Sequence, residues 1–146
     1  MRPIAPRKVI REYLYAYAAV CHALGKMTSL ILPYATTEMM NIFLKQVSDD
    51  FTNYFVLMLI DRAGWHKSME LKVPENIRLI ARPSHSPELN PAEHLWEDLR
   101  ENEFHNKAFG SLNEVEQALC EGFIRIESDP KALSSMTLFP CLNITL

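Results

Sequence analysis

Phe55-Val56-Leu57-Met58-Leu59-Ile60-Asp61 is the stretch that decides the fold, because six consecutive apolar residues end in a carboxylate. An apolar side chain at every position predicts a strand covered on both faces, as in a parallel or mixed sheet. Further on, Ser86-Pro87-Glu88-Leu89-Asn90-Pro91-Ala92-Glu93 opens an amphipathic helix. A buried strand can aim Asp61 into a cleft, and we expect the helix start to bring Glu93 to meet it. Two convergent carboxylates suit a hard divalent cation such as Mg²⁺.

Patterns before this strand predict a hairpin and a helix. Residues 12–23 alternate between tyrosine and small apolar side chains, which indicates a strand. A turn at residues 24–27 and a second short strand at residues 28–33 complete the hairpin. A helix then begins at Thr36 or Thr37, either of which can cap it. A helix between strands is typical of a crossover connection.

Patterns after the strand predict three further helices and another strand. Residues 68–72 suggest a short helix, and residues 77–81 a strand stopped by Arg82-Pro83. Asn90 suits the N-cap of the next helix and Pro91 its first position. The last helix spans residues 111–126, and the tail from residue 128 is ambiguous. This order of elements favours an α/β sheet with helices on its faces.

Composition and charge exclude several classes of protein. The chain has 146 residues, 48% of them hydrophobic, which fits one domain with a real core. No apolar run reaches the roughly 18–20 residues needed to span a bilayer, and there is no signal peptide, so we expect a soluble intracellular protein. The net charge of −3 is not that of a stand-alone DNA-binding domain. The chain has three widely spaced cysteines, Cys21, Cys120 and Cys141. We expect them to be reduced side chains in the core rather than ligands of a zinc site or members of a disulfide framework.

Asp61 and Glu93 also have ordinary structural explanations. Aspartate is common after strands, where its side chain makes turns. Glu93 stands three residues after Asn90, so the two form a capping-box-like pair. Geometry alone favours these explanations for each residue taken singly.

The strings around the two carboxylates change this interpretation. Asp61-x-Ala63-Gly64-Trp65-His66 and Ser86-Pro87-Glu88-Leu89-Asn90-Pro91-x-Glu93-x-x-Trp96 together resemble the catalytic core of DDE transposases of the mariner-related bacterial insertion-sequence family. Arg11-Glu12-Tyr13-Leu14-Tyr15 and the segment from Lys72 to Leu79 resemble other parts of that core. The resemblance covers about residues 9–127 and rests on several independent motifs.

The resemblance implies an RNase H-like mixed sheet flanked by helices and a DNA transposase activity. In this family three carboxylates bind two Mg²⁺ ions, for which Mn²⁺ substitutes, and the metals drive phosphodiester cleavage and strand transfer at transposon ends. By match, Asp61 is the second carboxylate and Glu93 the third. The substrate is then double-stranded DNA, and the expected location is the bacterial cytoplasm, in association with the nucleoid.

The chain departs from the family pattern at the first carboxylate. No acid precedes Glu12, and Glu12, Glu38, Asp49 and Asp50 lie in no matching motif. We therefore expect an RNase H-like domain that lacks its first strand, with impaired catalysis. The rival hypothesis is a non-catalytic dimerisation or regulatory module that pairs with itself or with a full-length transposase. The expected organisation is a basic N-terminal arm at residues 1–11, a core at residues 12–127 and a C-terminal tail at residues 128–146.

Polar side chains beside the two carboxylates are candidates for contacts with DNA. The basic arm at residues 1–11 either touches phosphates or is a solvated tail. Arg62 stands where the family usually has asparagine, and His66 either contacts a phosphate or holds its loop. The candidate DNA-binding residues are Arg62, His66, Lys67, Arg82 and His85.

Overall fold

The computed structural model describes residues 14–60, 70–81 and 92–136, which form a mixed α/β structure. In chain order the elements are β1 (Tyr15–Cys21), β2 (Lys26–Leu32), α1 (Thr37–Asp50), β3 (Val56–Ile60), β4 (Ile77–Ala81), α2 (Ala92–Leu99), a π-helical turn (Arg100–Phe104) that continues α2, α3 (Leu112–Glu127) and α4 (Pro130–Met136). The α/β class expected from the sequence is confirmed. Within these ranges, no helix has both the length and the apolar character needed to cross a membrane.

The first two strands form the predicted hairpin. β1 pairs antiparallel with β2, from Tyr15 opposite Leu32 to Cys21 opposite Lys26. The second strand begins two residues earlier than the sequence pattern suggested, because Lys26 and Met27 pair with the end of β1 and leave a shorter turn at residues 22–25.

Helix α1 packs across both pairs of strands. Its N-cap is Thr36, whose hydroxyl accepts a hydrogen bond from the Met39 amide at 3.3 Å. Its buried face contacts one side of β1 and β2 and one side of β3 and β4. We call this the α1 cluster; its buried members are Met40, Phe43, Leu44, Val47, Phe51, Met58, Ile60 and Ile77.

Strands β3 and β4 run parallel, from Val56 opposite Ile77 to Ile60 opposite Ala81. This confirms the parallel pairing that the apolar run predicted. Among the described residues, β1–β2 and β3–β4 are two separate two-stranded sheets. Helix α1 connects them in the chain and covers one face of each.

The other face of the hairpin is covered by the three later helices. Their buried side chains pack against small residues of β1, namely Ala16, Ala18 and Val20. The hairpin is therefore enclosed on both faces. We call this second core the α2–α4 cluster; its buried members are Met27, Leu95, Leu99, Phe123, Ile126 and Leu133.

The prediction that β3 is covered on both faces was wrong. Met58 and Ile60 are 9% and 8% exposed beneath α1, whereas Leu57 and Leu59 are each 41% exposed. In β4, Ile80 shares this open face and is 39% exposed. The later helices lie over the hairpin, so they leave this apolar face of β3–β4 uncovered.

A short helix predicted at residues 68–72 is absent from the part that the structure describes, residues 70–72. Asn41 of α1 holds this segment instead. Its side-chain amide donates to the Glu70 carbonyl at 3.1 Å, and its side-chain oxygen accepts from the Lys72 amide at 2.7 Å. These two hydrogen bonds use backbone groups of the segment that a helix would need for itself.

The cysteine prediction is only partly correct. Cys21 is free and partly buried against the α1 cluster. Cys120 is free but exposed on α3, because the buried face of that helix passes through Ala118 and Phe123 instead. Cys141 lies outside the described residues.

Gly25 carries a prediction about stability. It adopts φ +59° in the hairpin turn, and a Cβ there would lie 2.4 Å from the Pro130 carbonyl oxygen at the start of α4. Gly25→Ala should lower the free energy of unfolding by about 2–4 kcal/mol, because the cost of a left-handed backbone at alanine and the cost of the clash with the Pro130 carbonyl add up. Urea denaturation measures this. The matched control is Gly110→Ala, whose Cβ would meet only the flexible Glu114 side chain; equal losses in both variants would contradict the packing argument.

Candidate functional site

The carboxyl ends of β3 and β4 meet at one edge of their sheet. Ile60 lies opposite Ala81 in the parallel register. In the sequence, Asp61 follows the first strand directly and Arg82 follows the second. In parallel α/β sheets this is the edge where binding sites form. Ile60 is buried against α1, so the end of β3 is firmly held.

Most of the predicted site residues lie beyond what the structure describes. Residues 61–69 and 82–91 are outside the described ranges. This leaves the positions of Asp61, Arg62, His66, Lys67, Arg82 and His85 as predictions. Glu93 is the predicted site residue that the structure does describe.

Glu93 lies in the first turn of α2 and is half-buried. An acid in the first turn is favoured because it faces the positive end of the helix dipole. Among the described residues, no hydrogen-bond or ion-pair partner is found for its carboxylate. A half-buried carboxylate with no partner among the described residues is suited to hold a cation or water.

Helix α2 is fixed by its apolar side. Leu95 is fully buried and Leu99 is 2% exposed. The Trp96 ring meets Phe123 of α3 edge-on, with 6.2 Å between ring centroids. Trp96 thus packs in the core between α2 and α3, while His94 and His105 are exposed. The packing turns one side of α2 towards β1 and thereby sets the direction of its first turn.

A network of hydrogen bonds around the Asn76 side chain positions the start of β4. Its side-chain amide donates to the Phe51 carbonyl at 3.1 Å and the Tyr54 carbonyl at 3.3 Å, and Ser48 donates to its side-chain oxygen at 2.6 Å. Asn76 thereby joins the end of α1 to the β3–β4 sheet. In the sequence, this asparagine stood out only as one residue of the segment from Lys72 to Leu79 that resembles the transposase core. Its position just before a strand, after Pro74-Glu75, was the available signal.

Three other acids precede β3 in the described part of the chain, and two of them make structural contacts at the end of α1. Glu38 is exposed in the first turn of α1. Asp49 pairs with Lys45 on the surface at 3.3 Å. Asp50 accepts hydrogen bonds from Thr28 at 2.6 Å and Gln46 at 2.9 Å. These contacts give Asp49 and Asp50 structural roles at the end of α1, so neither completes a site with Glu93.

The described residues alone do not make a metal centre. Among them, no group of three or more histidine, cysteine or acidic side chains is arranged to hold a metal ion. A groove of about 580 Å³ lies beside Phe55, Val73 and Ile77, at the opposite, amino end of β3 and β4. Glu93 has no hydrogen-bond or ion-pair partner among the described residues, and a carboxylate is a donor that fits a hard cation.

Comparisons with known proteins bear on the identity of the chain. The family model described as DDE superfamily endonuclease matches residues 4–116. The uncharacterized protein y4pE/y4sA of Sinorhizobium fredii is 35% identical over 129 residues, which is 86% of this chain and 94% of that protein. No solved structure matches the chain. Since the family match covers most of the chain, including both strands that end at this edge and the start of α2, the protein belongs to the DDE superfamily endonuclease family.

Proposed function

We propose that this chain is the catalytic-domain part of a DNA transposase of the mariner-related insertion-sequence type. One observation carries the proposal. The parallel register ends β3 and β4 side by side at Ile60 and Ala81, and a half-buried Glu93 without a protein partner among the described residues opens α2. In this proposal Asp61 and Glu93 are the catalytic residues and metal ligands.

The metal ions belong to the proposal. Asp61 and Glu93 supply carboxylate oxygens, the donors that Mg²⁺ prefers, and Mn²⁺ would substitute. When bound, two such ions activate a water or a DNA 3′-hydroxyl for attack on a phosphodiester and stabilise the leaving oxygen. The protein's part is to fix the two carboxylates on rigid elements. The apolar anchoring of Ile60 and Leu95 serves that purpose.

The architecture we propose is RNase H-like. The two small sheets share α1 as a cover, and the outer edges of both sheets have no partner strand among the described residues. A strand between β1 and β3 would join them into one sheet and would carry the first carboxylate of the family. The described residues supply neither that strand nor that carboxylate. We therefore infer that residues 12–127 form a core whose catalysis is impaired when this chain acts alone.

DNA is the proposed partner at the same edge. The residues proposed to contact phosphates lie in the two sequence segments that follow β3 and β4, and these strands end side by side at Ile60 and Ala81. A cation such as Arg62 also competes with a metal at Asp61, which fits impaired catalysis. The proposed DNA-binding set is Arg62, His66, Lys67, Arg82 and His85.

The open face of β3–β4 favours the second candidate function, a non-catalytic dimerisation or regulatory module. Leu57, Leu59 and Ile80 form an exposed apolar face of a kind that often binds another protein. Its partner would be a second copy of the chain or a full-length transposase.

Mn²⁺ calorimetry combined with nicking of supercoiled plasmid tests the proposal. We expect Mn²⁺ to bind in an Asp61-dependent way and nicking to be slow or absent. Robust nicking that disappears in Asp61→Ala would support the family activity and overturn the impairment. The control is Asp49→Asn, which removes an exposed acid that pairs with Lys45 at the end of α1. No metal binding, together with self-association, would favour the regulatory module.

A further inference from the structure

The contact between α3 and the end of α2 is unusually close at Gly122. A Cβ at this position would lie 2.4 Å from Leu99 Cδ2 and 3.0 Å from the Glu103 carboxyl carbon. Glycine therefore leaves room for the Leu99 and Glu103 side chains, which a Cβ at this position would have to displace. The approach occurs where α2 becomes the π-helical turn.

Arg125 joins the same two segments one turn further along α3. Its Nε and Nη2 donate to the two carboxylate oxygens of Glu103 at 2.9 and 2.8 Å, a bidentate arrangement. Its Nη2 also donates to Asp98 of α2. The pKa of Arg125 is raised, first by the hydrogen bond to Glu103 and also by Asp98, although burial opposes this. One guanidinium thus connects α3 to two positions on the neighbouring helix.

The π-helical turn makes this double contact possible. In an α-helix, residues five positions apart point about 140° apart. A π-helix joins residues five positions apart by hydrogen bonds and thereby brings their side chains closer to the same side. Asp98 and Glu103 are five positions apart, on either side of the transition. Both therefore reach Arg125.

The apolar packing under α2 is joined by a polar contact on its other side. The residues of β1 in this cluster are Ala16, Ala18 and Val20, whose side chains are shorter than those of the helices. Apolar packing on such a surface is non-directional. A bidentate ion pair is directional, because its geometry fixes both partners. Arg125 therefore adds a directional constraint on rotation and sliding of α2 to the apolar packing that holds the helix on the hairpin.

We infer that Arg125 is a positioning residue for Glu93: it holds Asp98 and Glu103 and thereby fixes the helix whose first turn presents the Glu93 carboxylate. Glu93 is five residues before Asp98 on the same short helix, so a rotation released at one end reaches the other. The inference rests on the proposed function, in which Glu93 binds a divalent cation.

Mn²⁺ titration of the full chain, followed by electron paramagnetic resonance of the free ion, tests the inference. Arg125→Ala should weaken Mn²⁺ affinity about tenfold, the loss typical of removing a supporting contact behind a metal ligand. The direction of the change in Mn²⁺ affinity is informative, because loss of a nearby positive charge alone would strengthen cation binding. The matched control is Lys45→Ala, which removes the cation of the exposed Lys45–Asp49 pair on α1 and should leave the affinity unchanged.

A double variant separates positioning from a general loss of structure. If Arg125 acts through Glu103, Arg125→Ala combined with Glu103→Gln should bind Mn²⁺ no more weakly than Arg125→Ala alone. Arg125→Lys should restore part of the affinity because it keeps the charge. An Mn²⁺ affinity of Arg125→Ala equal to that of the wild-type chain would overturn the inference.

A wild-type chain that binds no Mn²⁺ would contradict the proposed function, and hydrogen exchange would then decide the role of Arg125. Faster exchange of the amides of residues 93–99 in Arg125→Ala than in Lys45→Ala would support its hold on α2. Equal exchange in the two variants would overturn that hold.

Discussion

Glu93→Gln should lower the affinity of the chain for Mn²⁺ by about 10- to 100-fold, because glutamine keeps the size of the side chain and removes the anionic ligand. Glu93 is half-buried in the first turn of α2 without a protein partner among the described residues, so its loss breaks no internal contact there. We therefore expect the free energy of unfolding to change little, and the effect to be confined to the metal. Isothermal titration calorimetry measures the affinity, and urea denaturation checks the fold.

Glu97→Gln is the matched control for this substitution. Glu97 lies one turn further along α2, is exposed, and carries the same charge. A substitution there changes the local field by a similar amount and leaves the Glu93 ligand in place. Equal losses of Mn²⁺ affinity in both variants would mean that general electrostatics, rather than coordination by Glu93, attracts the ion.

Leu44→Ala should lower the free energy of unfolding by about 2–5 kcal/mol, the cost of emptying a buried leucine site. Leu44 is fully buried in the α1 cluster. That cluster is where α1 packs against the hairpin and the β3–β4 sheet, so the cavity weakens the attachment of both. The loss is a large part of the 5–15 kcal/mol that stabilises a typical domain.

Ile42→Ala on the same helix is the control, because Ile42 is 46% exposed and its removal leaves no buried cavity. We expect it to cost about 1 kcal/mol or less. Both variants are compared by urea denaturation. Losses that agree within about 1 kcal/mol would show that α1 is not the cover holding the two sheets.

Local patterns in the sequence predicted the elements that carry the candidate site. The apolar run of β3 predicted parallel pairing, and the structure pairs it in parallel with β4. Thr36 was expected as a possible cap of α1 and caps it. The Asn-Pro signal predicted a helix beginning near Glu93, and α2 begins at Ala92. In each case the decisive interactions are local, or follow from a strong apolar periodicity.

Features that depend on distant partners escaped the sequence pattern. The exposure of Leu57 and Leu59 depends on which sheet the later helices cover. The π-helical turn at Arg100–Phe104 carries no local signal, and it lies against Gly122 and Arg125 of α3, which are distant in sequence. Tertiary contacts decide such features, so no short window of sequence contains them. The segments that follow β3 and β4 lie outside the described residues, which leaves Asp61 and its neighbours as predictions.

The central claim is that Asp61 and Glu93 share one metal site. Fe²⁺ with ascorbate and peroxide, substituted for Mg²⁺, tests it most directly, because hydroxyl radicals formed at a bound Fe²⁺ cut the backbone beside its ligands. We predict two sets of protein fragments, cut near residue 61 and near residue 93, both suppressed by excess Mg²⁺ and both absent in Asp61→Asn. Cleavage at only one of the two positions, or cleavage that persists in Asp61→Asn, would contradict a shared site.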